Sequence, residues 1–155
     1  MIYCDTSFLV ALYLKRDAFH LEASSIGSRF QGPMPYMLLS ELELINGVHR
    51  NFGSKLITIA ERDAAFRQIA EDEAGGILVR RALDQTEHYA RARDLSKKFT
   101  PELSARSLDI LHVAAALLLK TSEFATFDEK QRVLVEKAGL KPLPKIIPGR
   151  KARKS

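Results

Sequence analysis

The sequence predicts an α/β fold, on three observations. Short apolar runs alternate with segments whose apolar residues recur at helical spacing; the breaks between them fall at Gly, Pro and small polar residues; and the chain is long enough to bury one core. Alternation of this kind implies right-handed crossovers and a central parallel sheet of four to five strands, with helices on both faces. The 155 residues, 46% of them apolar, suit a single domain over residues 1–144, followed by a basic tail over residues 145–155 that reads as flexible.

Taken in order, IYCD is a buried strand that runs straight into a helix with Phe8, Leu9, Leu12 and Tyr13 on its apolar side. A helix over residues 20–30 stops at the QGPMP break, and residues 36–39 read as a second strand. Ser40 followed by Glu43 has capping-box spacing and opens a helix ending at Gly53. A helix over residues 60–74 closes at Gly75 and Gly76, and residues 77–83 mix β-branched residues with arginines as an extra strand. Residues 86–99 form a charged amphipathic helix; residues 107–120 (SLDILHVAAALLLK) are apolar on nearly every side and so form a buried one. A strand over residues 124–127 ends at Asp128, a helix over 129–138 closes at Gly139, and residues 140–143 make a last strand.

Composition excludes several classes of function. No apolar run approaches the roughly 18 residues that cross a bilayer, and the start MIYCDTSFLV lacks a basic flank and a small-residue cleavage site, so a soluble, cytoplasmic protein is expected, with no membrane partner. Cys4 is the one cysteine and sits in an apolar run, which excludes an internal disulfide and a thiolate-rich metal site. The net charge is +5, but six cations and no acid follow from Lys141 onward, which leaves the preceding body nearly neutral.

The chemistry lies in the carboxylates. In open α/β sheets ligands bind beyond the carboxyl ends of the strands, and Asp5 and Asp128 each directly follow a strand. Either also reads as a helix N-cap, Asp128 with Gln131 completing a capping box. Glu43 reads equally as the reciprocal half of the Ser40 box, with Glu41 a competing acid two residues away on a different helix face. Asp109 falls in the first turn of its helix if Ser107 is the N-cap, yet a carboxylate in so apolar a segment is costly to bury without a partner. His112, one turn on, either orients a carboxylate or packs as a core histidine, and Thr6 and Ser7 either add hydroxyl contacts or cap a helix.

Four segments, DTSFLVALY, LSELELINGVHR, LDILHVAAALLL and FATFDEKQRVLVEKAGL, resemble in order and spacing the motifs of PIN domains, most of all the VapC toxins of bacterial and archaeal toxin–antitoxin pairs. The resemblance spans residues 2–143. It implies that Asp5, Glu43, Asp109 and Asp128 are catalytic and hold Mg²⁺ or Mn²⁺, with Glu43 selected over Glu41, and that the chain is an endoribonuclease. It further implies a homodimer, an RNA substrate and a VapB-like antitoxin lying in a groove walled by the first helix, residues 8–14, and by residues 61–71. Oxygen-only ligands suit these hard cations rather than zinc. The alternative is a catalytically silent RNA-binding or scaffold domain whose acids only cap helices.

Overall fold

The computed structural model describes residues 1–148. Its elements follow as β1 (Ile2–Cys4), α1 (Thr6–Tyr13), α2 (His20–Gly27), β2 (Met34–Tyr36), α3 (Leu38–Gly53), α4 (Ile59–Ala74), β3 (Leu78–Arg80), α5 (Gln85–Leu103), α6 (Ser107–Leu118), β4 (Glu123–Ala125), α7 (Glu129–Lys137) and β5 (Lys141–Leu143). All strand pairs are parallel: β1, β4 and β5 form one hydrogen-bonded group in the order β1-β4-β5, and β2 pairs with β3. The α/β expectation holds, with one difference: the five strands divide into groups of three and two.

The division follows from Pro35. The Met34 N–H donates to the Ile77 carbonyl and the Arg81 N–H to the Tyr36 carbonyl, so the residues flanking Pro35 bond toward β3. Backbone groups of successive strand residues point to opposite sides, and the donor that proline lacks is therefore the one facing β1, beside which β2 packs. The QGPMP segment reads as a turn from composition, which displaced the expected strand to residues 36–39. In the structure Met34, Pro35 and Tyr36 are buried, whereas Leu38 is largely exposed and opens α3.

Side chains alternating across the strands separate two cores. Tyr3 and Phe124, adjacent in the β1–β4 register and stacked at 5.0 Å, face the layer of α5, α6 and α7; Cys4 and Ala125 face the layer of α1 to α4. Helices thus cover both faces. The helix of α6 is buried as its sequence requires, with Val113, Ala114, Ala115 and Ala116 fully enclosed.

Helix ends account for the other differences. Ser40 is no cap: it lies buried inside α3, whose N-cap position is Met37 without a side-chain cap. The capping box belongs to α4, where the Glu61 N–H donates to Thr58 and the Thr58 N–H to Glu61. Likewise α6 starts at Ser107 with Arg106 in the cap position. Helix α5 continues past residue 99 with Pro101 inside its final turn, and Ser104 ends it at φ 50. Helix α2 stops at Gly27 rather than at residue 30, and β4 at Ala125 rather than at residue 127. Of the basic tail, Ile147 is buried against the α1 to α4 core, and residues 149–155 lie outside the described residues. Among the described residues no helix is long and apolar enough to cross a membrane.

Gly47 fixes the crossing of α3 over α1. A Cβ added there would stand 2.6 Å from Val10 Cγ2. Valine in a helix has one strongly preferred rotamer and cannot swing aside cheaply. Gly47→Ala should therefore destabilise the chain by about 1 kcal/mol, overpacking outweighing the usual helix-propensity gain, whereas in a Val10→Ala background the same change should stabilise. Urea midpoints of the four variants check this sign reversal.

Candidate functional site

The register of β1 against β4 brings two remote acids together. The pair Cys4–Ala125 ends both strands at one level, and the Asp5 N–H donates to the Ala125 carbonyl at 3.1 Å, so Asp5 and the segment of residues 126–128 leave the sheet side by side. Asp5 is 5% exposed. Its Oδ1 accepts from the Phe8 N–H at 2.9 Å, the N-cap bond of α1, and from the Ser7 hydroxyl at 2.7 Å; its Oδ2 accepts from the Thr126 hydroxyl at 2.6 Å. Thr126 in turn accepts from the Asp128 N–H. Burial pushes the Asp5 carboxyl above its ordinary value, against the lowering effect of the bonds from Thr126, Phe8 and Ser7.

Asp128 is also a cap, its Oδ1 accepting from the N–H groups of Lys130 and Gln131. The expected Gln131 half of a capping box is absent: the buried Gln131 amide instead donates to the Asp109 carbonyl at 3.1 Å and ties α7 to the first turn of α6. The burial cost of Asp109 is met by Arg106. One guanidinium reaches both acids, Nε to Asp109 Oδ2 at 2.7 Å, Nη2 to Asp109 Oδ1 at 3.1 Å and to Asp128 Oδ2 at 2.7 Å.

Glu43 and Glu41 separate as helix geometry requires. Glu41 pairs with Arg80 at 2.6 Å, away from the other acids. Glu43 Oε2 accepts from the Thr6 hydroxyl at 2.7 Å and from His112 Nε2 at 2.5 Å, and His112 Nδ1 lies 2.7 Å from the Tyr3 hydroxyl. Burial raises the Glu43 pKa, but the bond and charge of His112, the Thr6 hydroxyl and Arg106 together hold it below the ordinary glutamate value. A carboxylate only accepts, so Nε2 donates to Glu43, while the Tyr3 phenol, kept protonated by burial, pairs with Nδ1 on the other side of the ring. His112 is at once a buried core histidine and the residue orienting Glu43.

Asp5, Glu43, Asp109 and Asp128, from four separate stretches of chain, line one cleft of about 620 Å³. A model of the PIN domain matches residues 2–137. The chain belongs to the PIN domain family. Its fold is similar to the crystal structure of VapC20 from Mycobacterium tuberculosis, a toxin that cleaves the sarcin–ricin loop, with a TM-score of 0.67 and 16% sequence identity over 86% of this chain and 94% of that one. No curated protein matches the sequence.

Within this PIN domain, two residues at the site escaped the sequence reading. Arg106 had a signal, its position three residues before Asp109 at the start of the same helix. Thr126 had none, since a threonine at a strand end looks like any other. As the side chains lie, no three His, Cys, Asp or Glu groups among the described residues are close enough to share one ion. The donor chemistry nonetheless suits a hard cation, because all four acids offer oxygen and a single positive group, the Arg106 guanidinium, already bridges two of them.

The folded chain holds the Asp5 proton more tightly than the unfolded chain does. The stability this contributes is complete below the ordinary aspartate value of 3.8 and is lost as pH rises through the raised folded value. Asp5→Asn should accordingly melt above the parent at pH 7 in chelator, by a few degrees, with the gap closing toward pH 4; calorimetry across that range measures it, and a lower melting point at pH 7 would contradict the assignment.

Proposed function

We propose that this PIN domain is a Mg²⁺- or Mn²⁺-dependent endoribonuclease and the toxin of a VapBC-type pair. The observation that carries the reading is the gathering of Asp5, Glu43, Asp109 and Asp128 in one cleft, each anchored by neighbours that fix its direction. The likeness to VapC20, a toxin acting on RNA, supports the substrate class.

One or two divalent ions held by the four acids would activate a water and offset charge on the attacked phosphodiester. The chain's own groups prepare for this. Thr126, Ser7 and the Phe8 N–H lock the Asp5 carboxylate, and Thr6 and His112 lock Glu43 through one oxygen, leaving Oε1 without a hydrogen-bond partner among the described residues. Arg106 offsets the mutual repulsion of Asp109 and Asp128. Bonds of this kind keep carboxylates directed without reorganisation at the moment of reaction.

Two further surfaces support the partners. A groove of about 690 Å³ between α1 and α4, with Leu12, Tyr13, Ala64, Ala65 and Ile77 on its walls, suits an apolar antitoxin segment. Leu38, Leu42 and Ile45 stand exposed along one side of α3, at spacing that suits a second copy of the chain.

Asp128→Asn is the sharpest test, because asparagine keeps the cap of α7 and so separates chemistry from folding. Cleavage of RNA with Mg²⁺ or Mn²⁺ should fall by on the order of 100-fold or more, as for loss of a group aimed at a transition state. Activity equal to the parent's, or a parent that never cleaves, leaves the silent-scaffold reading. For the partner, co-expression with the product of the neighbouring gene should give one complex on gel filtration; a chain that elutes alone counts against the antitoxin.

A further inference from the structure

The acidic cleft extends well past its carboxylates. Glu43, Asn46, Gly47, Arg50, Asn51 and Ser54 all line it, and their spacing places them on one stripe of α3. From Glu43 to Arg50 that stripe runs about 10 Å along the helix axis. Gly47 lies midway between the two, where Val10 of α1 packs against it and lines the cleft as well.

Arg50, like Arg67, Arg81, Arg91 and Arg93, holds no acid among the described residues, but it alone of these five lines the acidic cleft. Arg16, Arg62, Arg80, Arg106 and Arg132 each pair with a carboxylate, whereas Arg50 has no hydrogen-bond or ion-pair partner among the described residues, although it shares a cleft with five acids. Asn46, exposed one turn earlier, is likewise unpartnered among them, and Asn51 spends its amide on the Gly47 carbonyl, leaving its oxygen free to accept. A free guanidinium flanked by amides is the equipment of a phosphate and base-edge contact.

Phe19 also lines the cleft. Its ring stacks on Phe127 with centroids 4.6 Å apart and planes within 8°, and Phe127 directly precedes Asp128. Phe127 is buried while Phe19 is only partly so, which makes Phe19 the outer plate of an aromatic stack that continues inward through Phe8. A half-covered ring rigidly backed by another is a platform on which a nucleobase of any identity stacks.

We infer that Arg50, Asn46 and Phe19 form a subsite for a nucleotide of single-stranded RNA next to the scissile bond, Arg50 taking its phosphate and Phe19 its base. The subsite rests on the nuclease reading and gives it a substrate form: an unpaired strand, since a base held in a duplex cannot lie on Phe19. Its residues lie outside the four acids, so binding and cleavage separate them.

The test uses the full chain carrying Asp128→Asn and a fluorescein-labelled single-stranded oligoribonucleotide, with anisotropy read across a salt series in Mg²⁺. Arg50→Gln should weaken binding and reduce the slope of log affinity against log salt by about 0.7, one phosphate contact on a single strand. Phe19→Leu should weaken binding by about 5- to 150-fold with the slope unchanged, and Phe19→Tyr should restore it. In the active chain both changes should raise KM more than they lower kcat. A slope unaltered by Arg50→Gln, Phe19→Leu binding like the parent, or no affinity of the parent for the oligonucleotide overturns the subsite. RNA that binds as described but is never cleaved by the active chain sinks the nuclease reading alone; cleavage that ignores both substitutions sinks the subsite alone.

Discussion

The parallel pairing of β1 with β4 is the constraint on which the rest of the molecule depends. It joins the first four residues of the chain to residues more than a hundred positions later, in a register that ends both strands together. Every polar contact of Asp5 with Thr126, and through Thr126 with the Asp128 backbone, is possible only in that register. A slip of β1 by one residue would exchange Tyr3 with Cys4 between the two cores, setting each against neighbours of the wrong volume. Packing on both sides of the sheet therefore sets the geometry of the cleft.

On that frame the chain manages its own electrostatic problem. Carboxylates crowded into one cleft repel one another and gain little from solvent when buried. Three different answers are used: hydrogen bonds to hydroxyl and backbone groups at Asp5, an imidazole backed by a buried phenol at Glu43, and a forked guanidinium at Asp109 and Asp128. Capping and site formation are not rivals here. Asp5 and Asp128 spend oxygens on helix N-termini and still line the cleft, so capping a helix does not take either residue out of it.

Much of this was legible in the sequence, because strand–acid–helix junctions announce themselves locally. The α/β alternation, the buried α6 and the acids after β1 and β4 follow from periodicity and punctuation alone. What escaped has a physical pattern. Pro35 looked like a turn because its lack of a donor matters only if the strand must bond on that side, which depends on neighbours no local window contains. Ser40 looked like a cap because its spacing to Glu43 is right, while the burial that draws it into α3 is tertiary. Thr126 and the pairing of His112 with Glu43 join residues far apart in the chain, and only the assembled sheet brings them together.

The reach of Arg106 bears on how this protein is assembled in a cell. Small metal domains whose ligands are bare anions collapse only when their ion arrives, and fall apart under chelation. Here a side chain already supplies positive charge across two of the acids, and the remaining two are satisfied by neutral donors and an imidazole. Part of the positive charge that four gathered acids call for is thus written into the polypeptide itself, three residues ahead of Asp109, rather than left wholly to the surrounding solution.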